Sequence, residues 1–148
     1  MEIGLWILVA ALTGAFAYTR QFTAATLSMG RALSGSGSKT GFQDAITPPW
    51  QTNFALTVYV GIAVVEGVMW WWLGWFSALA ALAIIFVGSV LVKLVLPKPT
   101  GGHYQRLILQ SMVARYADYV RDGDVLRADA LKHLLVKAGI DPDAMQGG

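Results

Sequence analysis

Residues 66–76, EGVMWWWLGWF, place a glutamate four positions before three consecutive tryptophans, inside one of the most apolar parts of the chain. How this stretch is read decides the fold. A single helix from Trp50 to Leu96 would be about 70 Å long, more than twice the ~30 Å of bilayer hydrocarbon, with no polar segment to leave it. The chain is therefore expected to reverse near Leu73 to Trp75. That leaves Phe54–Leu73 and Phe76–Leu96, each long enough to cross at about 1.5 Å per residue. Gly74 is the residue able to take a positive φ there, and Trp70, Trp71, Trp72 and Trp75 carry the amphipathic rings favoured at headgroup depth. The tryptophans thus mark an interfacial hairpin tip. At the far end, Lys93 can extend its ammonium to the interface and Pro97 ends the helix.

Composition agrees with a membrane setting. Of 148 residues, 55% are hydrophobic and only 14% charged, well below the roughly one quarter of soluble domains. A net charge of +2 without clustered Lys and Arg points away from nucleic acid. There is no cysteine, hence no disulfide or thiolate chemistry. His103 and His133 form no metal-binding spacing, so neither a metal nor another cofactor is expected.

Upstream of the hairpin, Ile3–Tyr18 is an uncharged run of about 16 residues, just under the ~17–25 that cross a bilayer. The AFA before Tyr18 has the form of a signal-peptidase site, but Glu2 stands where a positive n-region belongs, so a retained anchor is expected. Phe22, Ala25, Met29, Ala32 and Leu33 then fall near one helical face, which extends this helix past the membrane. The Ser/Gly run of residues 34–41 reads as a flexible linker, and TPPW offers Thr47 as N-cap with Pro48 as first helical residue. Arg20, Arg31 and Lys39 follow the first helix, Lys93 and Lys98 follow the hairpin, and the tryptophan turn has no basic residue. With three spans, both basic segments share one side, the cytoplasmic one, and the N-terminus is outside. A bacterial cytoplasmic membrane is the expected location.

After a KPTGG break, Tyr104, Ile108, Met112, Tyr116 and Val120 recur at intervals of four, and Leu126, Leu131, Leu134, Leu135 and Ala138 form a second stripe. Gly123 separates the two, and Asp124 can cap the second helix. A helical pair this short buries too little apolar surface to be secure alone, so another surface is expected to complete it. From Lys98 onward, seven Lys and Arg face six Asp, too even a balance for a purely electrostatic hold on lipid. A larger membrane complex or self-association is the expected partner. Tyr104, Ile108, Met112, Tyr116, Leu131, Leu134 and Leu135 are the candidate docking residues.

The expected fold is an all-α integral membrane protein: an N-terminal transmembrane helix with a cytoplasmic extension (1–33), a flexible linker (34–47), a tight transmembrane hairpin (48–97) and a cytoplasmic two-helix amphipathic tail (98–148). Within it Glu66 lies eight residues from the tip, about 12 Å along the helix. An intramembrane carboxyl faces protein or water and seeks a partner. Hairpin register sets it opposite Leu82, about 16 Å along the axis from Lys93, too far for an ion pair. Gly61, Ala63, Gly67, Ala80, Ala81, Ala83, Gly88 and Ser89 permit close helix packing. No phosphate loop, nucleophile elbow or catalytic carboxylate pair occurs. The function these features favour is a small noncatalytic accessory or scaffold subunit of a membrane complex, not an enzyme. The alternative is a homo-oligomeric ion or proton channel using Glu66. A third reading makes the tryptophans the rim of a lipid or quinone pocket.

Overall fold

A computed structural model describes residues 2–34 and 46–142, so most of the expected linker lies outside the described residues. Among the described residues the chain forms five α-helices and no strand: α1 (Glu2–Ser34), α2 (Pro49–Leu73), α3 (Trp75–Val92), α4 (Gly102–Arg121) and α5 (Val125–Lys137). Three are long and apolar enough to cross a membrane: Glu2–Leu33, Pro49–Leu73 and Trp75–Val92. The chain divides into two compact units, Met1–Thr23 with Pro49–Lys98, and Ala24–Pro48 with Pro99–Gly148, so α1 contributes to both.

In the first unit, α2 and α3 are separated by Gly74 alone, whose φ of 84° and ψ of 168° lie in a region that L side chains essentially do not enter. The Gly74 carbonyl accepts from the Ser77 and Ala78 amides, so the second helix starts immediately. Val58, Val65 and Met69 of α2 pack with Ala78, Ala81 and Ile85 of α3, and Val9 and Phe16 of α1 complete the cluster. Phe16 is the wedge. Its ring meets Tyr59 of α2 and Phe86 of α3 edge to face, at centroid distances of 5.9 and 5.5 Å. Further along α1, Tyr18 meets Phe54 and Phe22 meets Trp50 in the same manner.

Two of the small residues admit α1 rather than serve the hairpin. A Cβ on Gly88 would lie 2.9 Å from Thr13 Cγ2, and one on Gly61 would lie 3.1 Å from Leu12 Cδ2. Ala81 and Ser89 are buried, whereas Ala63, Gly67, Ala80 and Ala83 are exposed.

Two helix ends differ from expectation. Helix α2 opens at Pro49, one residue beyond Pro48, and either proline suits a first turn whose N–H has no helical acceptor. Helix α3 closes at Val92 rather than Leu96, with a further turn of hydrogen bonds through Leu96. A proline ring clashes with the carbonyl four residues earlier, which for Pro97 is that of Lys93, so the regular helix stops there.

In the second unit, α4 and α5 form a hairpin closed by a Schellman turn. The Gly123 amide donates to the Val120 carbonyl and the Asp124 amide to that of Tyr119, with Gly123 at φ 74°. Asp124 then accepts from the Arg127 amide and caps α5. Buried side chains of this unit include Tyr104, Ile108, Met112, Tyr116, Leu131, Leu134 and Leu135, together with Ala25, Leu33 and Ile46 from earlier in the chain. Arg115 donates to the Thr47 carbonyl at 2.7 Å, tying α4 to the segment before α2. Part of the surface that the short tail lacks is therefore supplied by the chain itself.

Candidate functional site

Glu66 stands on α2, and both of its carboxyl oxygens expose less than 1 Å² and have no hydrogen-bond partner among the described residues. Its surroundings explain why. Hydroxyls in these apolar helices satisfy themselves by donating to the carbonyl of the preceding turn: Thr13 to Val9, Thr19 to Ala15, Ser77 to Leu73 and Ser89 to Phe86. An ionised carboxyl can only accept, and mid-helix amides are already engaged in their own helix. An ionised Glu66 therefore needs a donor from elsewhere.

Glu66, Gly67, Trp70 and Trp71 of α2 and Ala78, Leu79 and Leu82 of α3 line one groove of about 300 Å³. Glu66 and Leu82 thus share a level of the hairpin. No α1 residue lines the groove, and a Cβ on Gly67 would meet nothing within 4 Å. Lys93, the nearest basic candidate in the sequence of the hairpin, is the residue just past α3 at its other end.

Trp70, Trp71, Trp72 and Trp75 flank the turn and are all more than half exposed, Trp71 at 84%. A second hollow is lined by Trp71, Trp72 and Leu73 together with Glu2, Ile3 and Leu5 of α1. Trp71 therefore borders both the groove holding Glu66 and a surface hollow holding Glu2. Sequence reasoning did not pair Glu2 with the tryptophans. The only signal was the parallel course of an N-terminal span beside the hairpin tip.

The seven docking candidates of the tail, Tyr104, Ile108, Met112, Tyr116, Leu131, Leu134 and Leu135, are all buried in this fold. Exposed large apolar side chains of these two helices are Val120 at the end of α4, Val125 and Leu126 in the first turn of α5, at 77% and 84% exposure, and Val136 near the other end of α5. Val120 and Leu126 belong to the apolar stripes by spacing.

Gln51 is a further buried polar residue that spacing did not single out. Its amide nitrogen donates to Thr23 Oγ1 at 3.3 Å, while its carbonyl oxygen is buried without a partner among the described residues. Among the described residues, no group of three or more His, Cys, Asp or Glu side chains could hold a metal ion. Compared with known proteins, the chain matches no family model, no curated protein and no solved structure.

Proposed function

We propose that this protein is a small noncatalytic subunit of a membrane complex, held in the bilayer by α1, α2 and α3 and docked to a larger component through its helical tail and its transmembrane hairpin. One observation supports the docking role above the others. Val120, Val125 and Leu126 are exposed side by side in the chain at the α4–α5 turn, with Val136 exposed near the other end of α5, and clustered exposed hydrophobes on a water-facing domain mark interaction surfaces. Large apolar side chains that point outward from α2 and α3, such as Leu56, Val64, Ile84 and Val87, suit lipid tails. The basic residues Arg20, Arg31, Lys93 and Lys98 favour a cytoplasmic tail and an external tryptophan turn.

The test is purification of the full-length chain from its native membrane in mild detergent, with mass spectrometry of the retained proteins. A defined companion should be present, should dissociate when Leu126 is changed to Asp, and should return with Leu126→Met. A chain that elutes alone in every mild detergent contradicts the proposal.

The unpartnered Glu66 carboxyl favours a second reading, in which several copies assemble around an ion path that Glu66 lines. Reconstituted vesicles should then conduct, and Glu66→Gln should change the conductance. No measurable flux removes this reading.

A further inference from the structure

The Glu66 groove combines three properties. It holds a carboxyl whose acceptors are unused, two indoles, and an otherwise apolar wall of Gly67, Ala78, Leu79 and Leu82. An acidic group alone would suit any hydrogen-bond donor. Indole faces narrow the choice, because their quadrupole attracts cations, and most strongly where water is excluded. Apolar walls narrow it again, since a small hydrated ion would lose its water without oxygen ligands to replace it. A cation wrapped in hydrocarbon loses little hydration and gains apolar contact on every other side. The groove volume of about 300 Å³ is at the lower end of the range of small-molecule sites.

We propose that the α2–α3 groove binds a lipophilic organic cation, a quaternary ammonium or phosphonium centre clothed in apolar groups, between Glu66 and the indoles of Trp70 and Trp71. Because the carboxyl oxygens are covered by neighbouring atoms, the ligand meets Glu66 through a change of side-chain rotamer that turns the carboxyl toward the groove. Trp71 also borders the separate hollow containing Glu2. The same ammonium chemistry has two sources, a free amphiphilic cation and the choline headgroup of a lipid. The proposal rests on the membrane reading above.

The experiment is equilibrium binding of radiolabelled tetraphenylphosphonium to the full-length chain in a non-ionic maltoside and in nanodiscs. Binding should saturate at one cation per chain. Glu66→Gln should weaken it by at least about tenfold, as expected when one partner of a desolvated charge pair is removed. Glu66→Asp should fall between, and Trp70→Ala should weaken it roughly threefold or more through loss of the ring. Glu2→Gln should leave the affinity of the deep site within about twofold, since the surface carboxylate is exposed and screened. Weaker binding in phosphatidylcholine discs than in equally zwitterionic phosphatidylethanolamine discs, which lack the quaternary ammonium, identifies the lipid headgroup as a competing source, and equal binding identifies the free cation. Both outcomes support the site if Glu66 dependence holds. Binding that is unsaturable, indifferent to Glu66→Gln, or lost in Glu2→Gln alone overturns the proposal. Alkaline carbonate extraction separates the two possible failures: a chain stripped from membranes fails the membrane reading, and a chain that stays but ignores Glu66 fails only this one.

Discussion

The chain contains two helical hairpins, each turned by a glycine at positive φ, and they are inside out with respect to one another. In α2–α3 many large apolar side chains face outward, among them Ile84, Phe86 and Val87 of α3, while the buried set mixes the small Ala78, Ala81 and Ser89 with Val58, Val65, Met69 and Ile85. In α4–α5 the large side chains face inward, and Tyr104, Ile108, Met112 and Leu135 are fully covered. The two patterns suit two different solvents. Where hydrocarbon surrounds the helices, large side chains gain nothing by hiding and small ones let backbones approach. Where water surrounds them, burial of the large ones supplies the stability.

That contrast can be broken most forcefully by truncating large side chains. Ile108→Ala should destabilise the full-length chain by about 2–5 kcal/mol, because the site is fully buried. Truncation of the exposed Val87 to Ala should cost under ~0.5 kcal/mol, since lipid fills the space. Denaturant titration in nanodiscs measures both, and equal costs would erase the distinction.

Charge reverses the ranking of the two hairpins. Ile84→Asp should cost about 2.5–3.5 kcal/mol of insertion free energy at mid-helix, read as a loss of carbonate-resistant protein. Leu126→Asp, at a more exposed position, should leave stability within about 0.5 kcal/mol. A tolerated Ile84→Asp would mean that α3 does not face hydrocarbon.

A smaller effect sharpens the comparison within the first unit. Gly88→Val forces its Cβ to 2.9 Å from Thr13 Cγ2 and should cost roughly 1–3 kcal/mol by parting α1 from α3. Thr13→Ser, which removes that methyl, should recover part of the loss.

The two turning glycines differ as well, and asparagine reports the difference. Gly123→Asn should cost less than about 1 kcal/mol, because a Schellman turn accepts asparagine in the left-handed region. Gly74→Asn should cost about 1–3 kcal/mol, because ψ 168° at φ 84° suits glycine alone. Thermal unfolding of both variants in detergent ranks them, and a reversed order would place the strain elsewhere.

The first hairpin was legible in the sequence because its determinants are local. Two apolar runs too long for one crossing, one glycine and a tryptophan cluster leave few arrangements, and the register that faces Glu66 with Leu82 follows from counting residues away from the turn. Contacts of α1 were not legible. That Phe16 fits between Tyr59 and Phe86, or that Gly88 receives Thr13 rather than its own hairpin partner, depends on how a separate helix is rotated, which one sequence does not encode by spacing. In the tail the four-residue repeat located the apolar faces of α4 and α5. Periodicity reports which face is apolar, not what covers it, so the residues expected to dock a partner turned out to be interior. Val125 lies outside the stripe that the spacing marks, and Leu126, its first member, is exposed all the same.

Everything in this reading of the first unit depends on the backbone reversing at Gly74 inside a membrane. Because the chain has no cysteine of its own, single cysteines can be placed without background. Ile3→Cys, Arg31→Cys, Trp71→Cys and Lys98→Cys in sealed vesicles, treated with a membrane-impermeant maleimide, measure the topology directly. Positions 31 and 98 should be labelled from one side, and positions 3 and 71 from the other. Labelling of positions 31 and 98 from opposite sides would contradict a three-span chain turned at Gly74.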